Sequence, residues 1–175
     1  MQPQDVGWLA GLLDGEGSIV LVRGSSDRKS DGRRSVLPRI VVAVADFEIL
    51  KKYTTLLSSL GINYGYVKQA HGRRHPIIHV WVAQHNSIVR LLTVVLPFLT
   101  LKARAARFVL DYTNWRITNH DNLCYRGGPI LRAVQDKEQE FWETYQQVYM
   151  GKAVSHSRSL LDAVADKSVP LHWPD

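Results

Sequence analysis

The chain is poor in cysteine: Cys124 is the only one. A disulfide framework and a cysteine-built zinc site are therefore excluded, and a reducing, intracellular setting is expected. Long apolar runs are absent too, and none reaches the roughly 18 residues that a membrane-spanning helix needs. Residues 1–5 lack the basic-then-apolar order of a secretion signal, so the protein is expected not to be secreted. Acid is in short supply. Against 22 Lys and Arg stand only 16 Asp and Glu, a formal net charge of +6 and a pI near 9.6. That balance favours an anionic partner, with nucleic acid the leading class.

What is there suits a folded domain. Hydrophobic residues make up 45% and charged ones 22% of 175 residues, enough apolar content for one core and too much for disorder. Periodicity predicts a helix over 6–14, strands over 18–23 and 36–45, and a helix from an Asp46 N-cap to Gly61. Ile49, Leu50, Tyr53, Leu56, Leu57 and Leu60 supply that helix's apolar stripe. Strands over 62–69 and 77–83 follow, then helices over 87–96, 100–115 and 138–149. Pro38 fits only near a strand start or at an edge. The fold class expected is α+β in the order αββαββα with added C-terminal helices: one antiparallel sheet, helices on one face, the other face open. One domain over 1–150 is expected, with 151–175 a tail that is either a small helix or disordered.

The stretch "WLAGLLDGEGSIVLVR", residues 8–23, is unusual. Leu9, Leu12 and Leu13, flanked by Val6 and Trp8, form an apolar helical face. Gly7, Gly11 and Gly15, with Ala10 beside them, form a small-residue face. Each interior Gly costs about 1 kcal/mol relative to Ala, and a second backbone packed closely on the small face would offset this. Glu16 ends the helix, where the dipole disfavours an anion. If the close partner is another copy of the same helix, two carboxylates meet, and a divalent cation such as Mg²⁺ suits those hard oxygen ligands. A second set, His71, His75 and His79, recurs every four residues. Convergence on zinc would need a helix, and Gly72 and Pro76 break one.

"LAGLLDGEG", residues 9–17, resembles the signature of the LAGLIDADG homing endonucleases, departing at Leu13, Gly15 and Glu16. The resemblance covers about residues 6–115 and includes the order of strands and helices. It implies a saddle-shaped sheet on DNA, with motif helices of two units packed on a two-fold axis. A single motif copy implies a homodimer on a long (pseudo)palindromic duplex, with Gly7, Ala10, Gly11 and Asp14 at the interface. Glu16 matches the metal-binding acid, Gly15 the residue whose carbonyl reaches the metal, and Asp14 the residue that organises the helix end. The implied cofactor is Mg²⁺, with Mn²⁺ an alternative and Ca²⁺ binding without cleavage. The implied reaction is metal-dependent hydrolysis of both strands, leaving short 3′ overhangs and driving intron mobility.

"LPFLTLKARAA", residues 96–106, resembles the family segment with an active-site lysine, matched here by Lys102. One departure is clear. Where several relatives carry a polar group near the reacting water, this chain has Val44 and Ala45, with Asp46 better placed as a cap. Strand alternation and the basic hairpins give the DNA-binding candidates: Arg23, Arg28, Lys29, Arg33, Arg34, Arg39, Tyr66, Lys68, His71, Arg73, Arg74, His79 and Trp81. The alternatives on the same scaffold are a maturase that binds host intron RNA and a non-catalytic DNA-binding protein.

Overall fold

The computed structural model describes residues 2–23, 36–69, 76–119 and 132–150. Helix α1 (Pro3–Glu16) leads into strand β1 (Gly17–Arg23) and strand β2 (Val36–Val44), then helix α2 (Phe47–Ser59). Strands β3 (Gly65–Gln69) and β4 (Ile77–Val82) follow, then helix α3 (His85–Val95), a 3₁₀ turn (Leu96–Phe98), helix α4 (Ala103–Thr118) and helix α5 (Arg132–Met150). The expected α+β order is observed. The expectations for residues 120–129 and 151–175 lie outside the described residues. The strands form one antiparallel sheet in the order β1-β2-β4-β3, so β2 and β4 are central.

The start of helix α1 differs from that read in the sequence, for a local reason. Helix α1 begins at Pro3, whose missing N–H costs nothing in a first turn, and the Asp5 carboxylate accepts the Gln2 N–H. Pro38 sits within β2, but β4 pairs only from Ile40 onward, so Pro38 has a single neighbouring strand. Helix α2 starts as expected: Asp46 accepts the N–H groups of Glu48 and Ile49 at 2.8 and 2.9 Å. It ends in a Schellman motif, with Gly61 N–H donating to Ser58 O and Ile62 N–H to Leu57 O. That cap needs the left-handed φ of 62° at Gly61.

All described helices with core residues use one face of the sheet. Ile19 and Leu21 of β1, Ile40 and Val42 of β2, and Val80 and Val82 of β4 are buried there. They meet Leu9 and Leu13 of α1, Tyr53 and Leu57 of α2, Leu91 and Leu92 of α3, and Val109 and Tyr112 of α4. Each fully buried side chain of this size contributes roughly 1.5–3 kcal/mol.

Helix α5 is tied in by a buried polar cluster. Tyr112 Oη donates to Val36 O at 2.7 Å and lies 3.1 Å from a Glu138 oxygen. Arg116 pairs with the same carboxylate and also donates to Val36 O. Burial pushes the Tyr112 hydroxyl up to about 12, against the opposing pull of Arg116, so it stays a donor. Glu138→Leu removes the carboxylate that Arg116 and Tyr112 share and leaves the buried guanidinium without its counter-charge. The expected loss is about 3 kcal/mol, read as a lower urea midpoint. An unchanged midpoint would show that α5 is not held through this cluster.

Candidate active site and nucleic-acid surface

The C-terminus of α1 is held by a reciprocal clamp. Helix ends leave carbonyls unpaired and carry partial negative charge. The Lys102 ammonium occupies that end, donating to Leu13 O at 2.9 Å and to Asp14 O. In return the Asp14 carboxylate accepts the N–H groups of Thr100 at 2.7 Å, Leu101 at 3.2 Å and Lys102 at 2.9 Å. Those N–H groups belong to the bend that leads into α4, ahead of its first residue Ala103. The α1 terminus and that bend therefore hold each other in place. The Gly15 carbonyl, one residue beyond Asp14, is not among those Lys102 takes. Beside it the Glu16 side chain is exposed.

On α1 the structure sorts the small residues into two sets. Gly7, Gly11 and Gly15 are exposed, and a Cβ added at any of them meets nothing within 4 Å. Nothing within the described residues of a single chain explains their smallness. Ala10 corrects the sequence reading: at 1% exposure it belongs to the core, because it lies three residues before Leu13 and shares its face. The interface expected at Ala10 is thus already filled from within the chain. Asp14 likewise has its carboxylate engaged inside its own chain. Sequence reading also missed two large apolar side chains in the clamped turn region, Phe98 and Leu101, exposed at 54% and 79%. The apolar run "PFLTL" after a helix-ending proline was the signal.

Among the described residues, no helix with core residues lies on the sheet's second face. Cross-strand partners share a face, so the register assigns each candidate. Arg39 pairs with Val20, Val41 with both Ser18 and Trp81, and Ala43 with His79. Arg39, His79 and Trp81 therefore lie on the open face, as their alternation implies. Trp81 lies over Gly65, where a Cβ would come within 2.6 Å of the indole ring. Only glycine permits that approach.

Three candidates are displaced. Tyr66 pairs with Val80 and Lys68 with Ile78, so both are on the helix side of edge strand β3 and not on the open face. Tyr64, of the same parity, packs against the core. Arg23 follows Ile19 and Leu21 onto the helix side, where it donates to Gln139 Oε1 at 2.7 Å and stacks 4.9 Å from the Trp142 ring. Arg28, Lys29, Arg33, Arg34, His71, Arg73 and Arg74 lie outside the described residues. Val44 is buried with the core and Asp46 is engaged as a cap, so neither supplies a free polar group at the end of β2. Among the described residues no three His, Cys, Asp or Glu side chains cluster as a metal site would require. No helix there is long and apolar enough to cross a membrane.

Residues 3–95 match the model of the LAGLIDADG-like domain, and the chain belongs to that family. No curated protein matches significantly in sequence. Among solved structures the chain is similar to the homing endonuclease I-CvuI in complex with the I-CreI target, at 17% identity and TM-score 0.61, covering 93% of this chain and 95% of that one. It is also similar to an archaeal intron-encoded homing endonuclease complexed with DNA, at 14% identity and TM-score 0.61, covering 94% and 96%. A third is the meganuclease I-CpaMI bound to uncleaved DNA, at 16% identity and TM-score 0.55. There 91% of this chain matches only 49% of the other. At these identities the likeness establishes the fold.

The clamp makes a pH-dependent prediction. Burial opposes ionisation of Asp14, but the N–H groups of Thr100, Lys102 and Leu101, with the Lys102 charge, outweigh it and hold its pKa below the ordinary 3.8. A depressed carboxylate contributes stability that is fully present above its unfolded pKa and lost as pH falls through the lower folded value. Asp14→Asn should therefore destabilise by about 1–2 kcal/mol at pH 6, and the gap to wild type should close below about pH 4. Urea unfolding across that range measures it. A gap independent of pH would mean the carboxylate's charge does not hold the clamp.

Proposed function

We propose that this protein is a site-specific DNA endonuclease that works as a homodimer and cuts both strands of a long (pseudo)palindromic duplex, leaving short 3′ overhangs and driving intron mobility. The observation that carries the reading is the end of α1: an exposed glycine stripe with room on it, terminating in an exposed glutamate. Two such helices packed stripe to stripe would place two Glu16 carboxylates and two Gly15 carbonyls together on the dyad. Phe98 and Leu101 would extend the buried contact. The chain matches nearly the whole of relatives such as I-CvuI but about half of I-CpaMI, which supports one unit per chain and two chains per site.

The donor set fits a hard divalent cation. Glu16 has no hydrogen-bond or ion-pair partner among the described residues, and a carboxylate beside a carbonyl suits Mg²⁺ or Mn²⁺, with Ca²⁺ able to bind. Among the described residues one chain holds no three-residue cluster, and in the dimer the ligands would come from both chains. When bound, such an ion supplies Lewis-acid stabilisation of the charge that builds on a phosphodiester during hydrolysis. The chain's own residues do the rest. Glu16 offers its negative charge where the helix end already concentrates it. Lys102 holds the α1 terminus and keeps a cation beside the reacting phosphate. Arg39 and the basic segments around 24–35 and 70–75 would grip the duplex.

A second reading, binding of host intron RNA or of DNA without cleavage, is favoured by one observation only. With Val44 buried and Asp46 engaged, no polar side chain at that turn is free to position water. Intracellular residence beside the host genome follows from either reading.

Two experiments test the proposal. Gly11→Leu adds a side chain into open space in the monomer, so the isolated fold is retained and the helix gains about 0.8 kcal/mol of propensity. The dimer should be lost by sedimentation velocity, and a dimer that persists would remove the stripe from the interface. Separately, a duplex joining the two flanks of the host intron should be cut by wild type with Mg²⁺ and not with chelator. Glu16→Gln should reduce that rate by at least about a hundredfold while leaving binding intact. Tight binding of this duplex with no cutting by wild type would support the second reading.

A further inference from the structure

The open face is unusually apolar for a surface offered to nucleic acid. The register places Val22 opposite Leu37 and Val41 beside Trp81, with Ile77 and Val67 on the same side. Around them, among the described residues, the side chains able to hydrogen-bond a base are Ser18, Arg39, Gln69 and His79, with the indole N–H of Trp81 a single further donor. No described helix contributes core residues to this side, and Val67 is 51% exposed. The occupant that the charge favours is a polyanion. The chain carries +6, Arg39 projects from the middle of the face, and the segments joining β1 to β2 and β3 to β4 contain Arg28, Lys29, Arg33, Arg34, Arg73 and Arg74.

The major-groove edges of base pairs offer two kinds of contact: hydrogen bonds, and the C5 methyl that thymine alone carries among the four bases. A polar base edge pressed against Val or Leu would lose its water without gaining a partner, at a cost comparable to an unmade hydrogen bond. A thymine methyl in the same place buries apolar surface on both sides. We infer that the apolar band formed by Val22, Leu37, Val41, Trp81, Ile77 and Val67 selects DNA sites by covering thymine methyl groups. Arg39 and His79 then supply the polar contacts at fixed positions. This rests on the duplex-binding reading above and adds the base it prefers and the residues that choose it.

The test begins with selection of tight binders from a randomised duplex, in Ca²⁺ to hold the complex uncut. Each thymine of the selected site is then replaced by deoxyuridine, which removes only the methyl. The selected site should be thymine-rich beneath the strands, and each covered methyl lost should weaken binding about fourfold. The triple variant V22T/L37T/V41T keeps β-branched or compact side chains suited to strands. If it unfolds at the wild-type urea midpoint, it should bind the thymine and uracil duplexes with nearly equal affinity. A tight site insensitive to uracil overturns the inference and leaves the duplex-binding reading standing. So does a folded triple variant that keeps the wild-type uracil penalties. Failure to recover any duplex, with self-association through this face instead, overturns both.

Discussion

The candidate site depends on one electrostatic exchange between the end of α1 and the bend before α4. The terminus of α1 needs positive charge, and the N–H groups of residues 100–102 need an acceptor. Asp14 and Lys102, 88 residues apart, meet both needs at once. The exchange fixes where α1 stops, and so where Glu16 and the Gly15 carbonyl are presented. It also gives Lys102 a structural duty that a lysine on a solvated helix face would lack. A chemical role at a phosphate and a capping role at α1 are compatible, since an ammonium has three donors and two are engaged with carbonyls.

The second constraint is steric. Glycine on one side of α1 costs helix stability, and the leucines on the other side compensate only through the core. A chain that kept this arrangement as a monomer would leave three glycines and the Phe98–Leu101 patch in water. A second copy packed on the stripe would resolve both. Metal, dimer and cleavage are then one proposal with linked parts, because the carboxylates gather only if the stripes meet.

Much of this was legible in the sequence, for identifiable reasons. The α1 motif, the Asp46 cap and the faces of β2 and β4 follow from strong local patterns: alternation of Ile and Val with smaller or polar residues, and a capping residue before an apolar stripe. The faces of edge strand β3 were not legible. In "GYVKQ" four consecutive side chains are exposed, so burial does not distinguish the two faces and only the pairing with β4 does. Arg23 was misread because its partners lie in α5, beyond any local signal. Ala10 was misread because one step on a helix turns about 100°, enough to move it from the stripe into the core. The Asp14–Lys102 exchange was half legible. Both residues stood out, but their mutual capping is a long-range contact that no local pattern encodes.

The most direct test is crystallographic: the protein bound to the joined-flank duplex, grown in Ca²⁺ and soaked in Mn²⁺, with anomalous scattering used to locate the metal. The account predicts two chains on the duplex, their α1 glycine stripes in contact, and manganese between the Glu16 carboxylates and Gly15 carbonyls of both. A single chain on the DNA, or manganese bound away from Glu16, would contradict it.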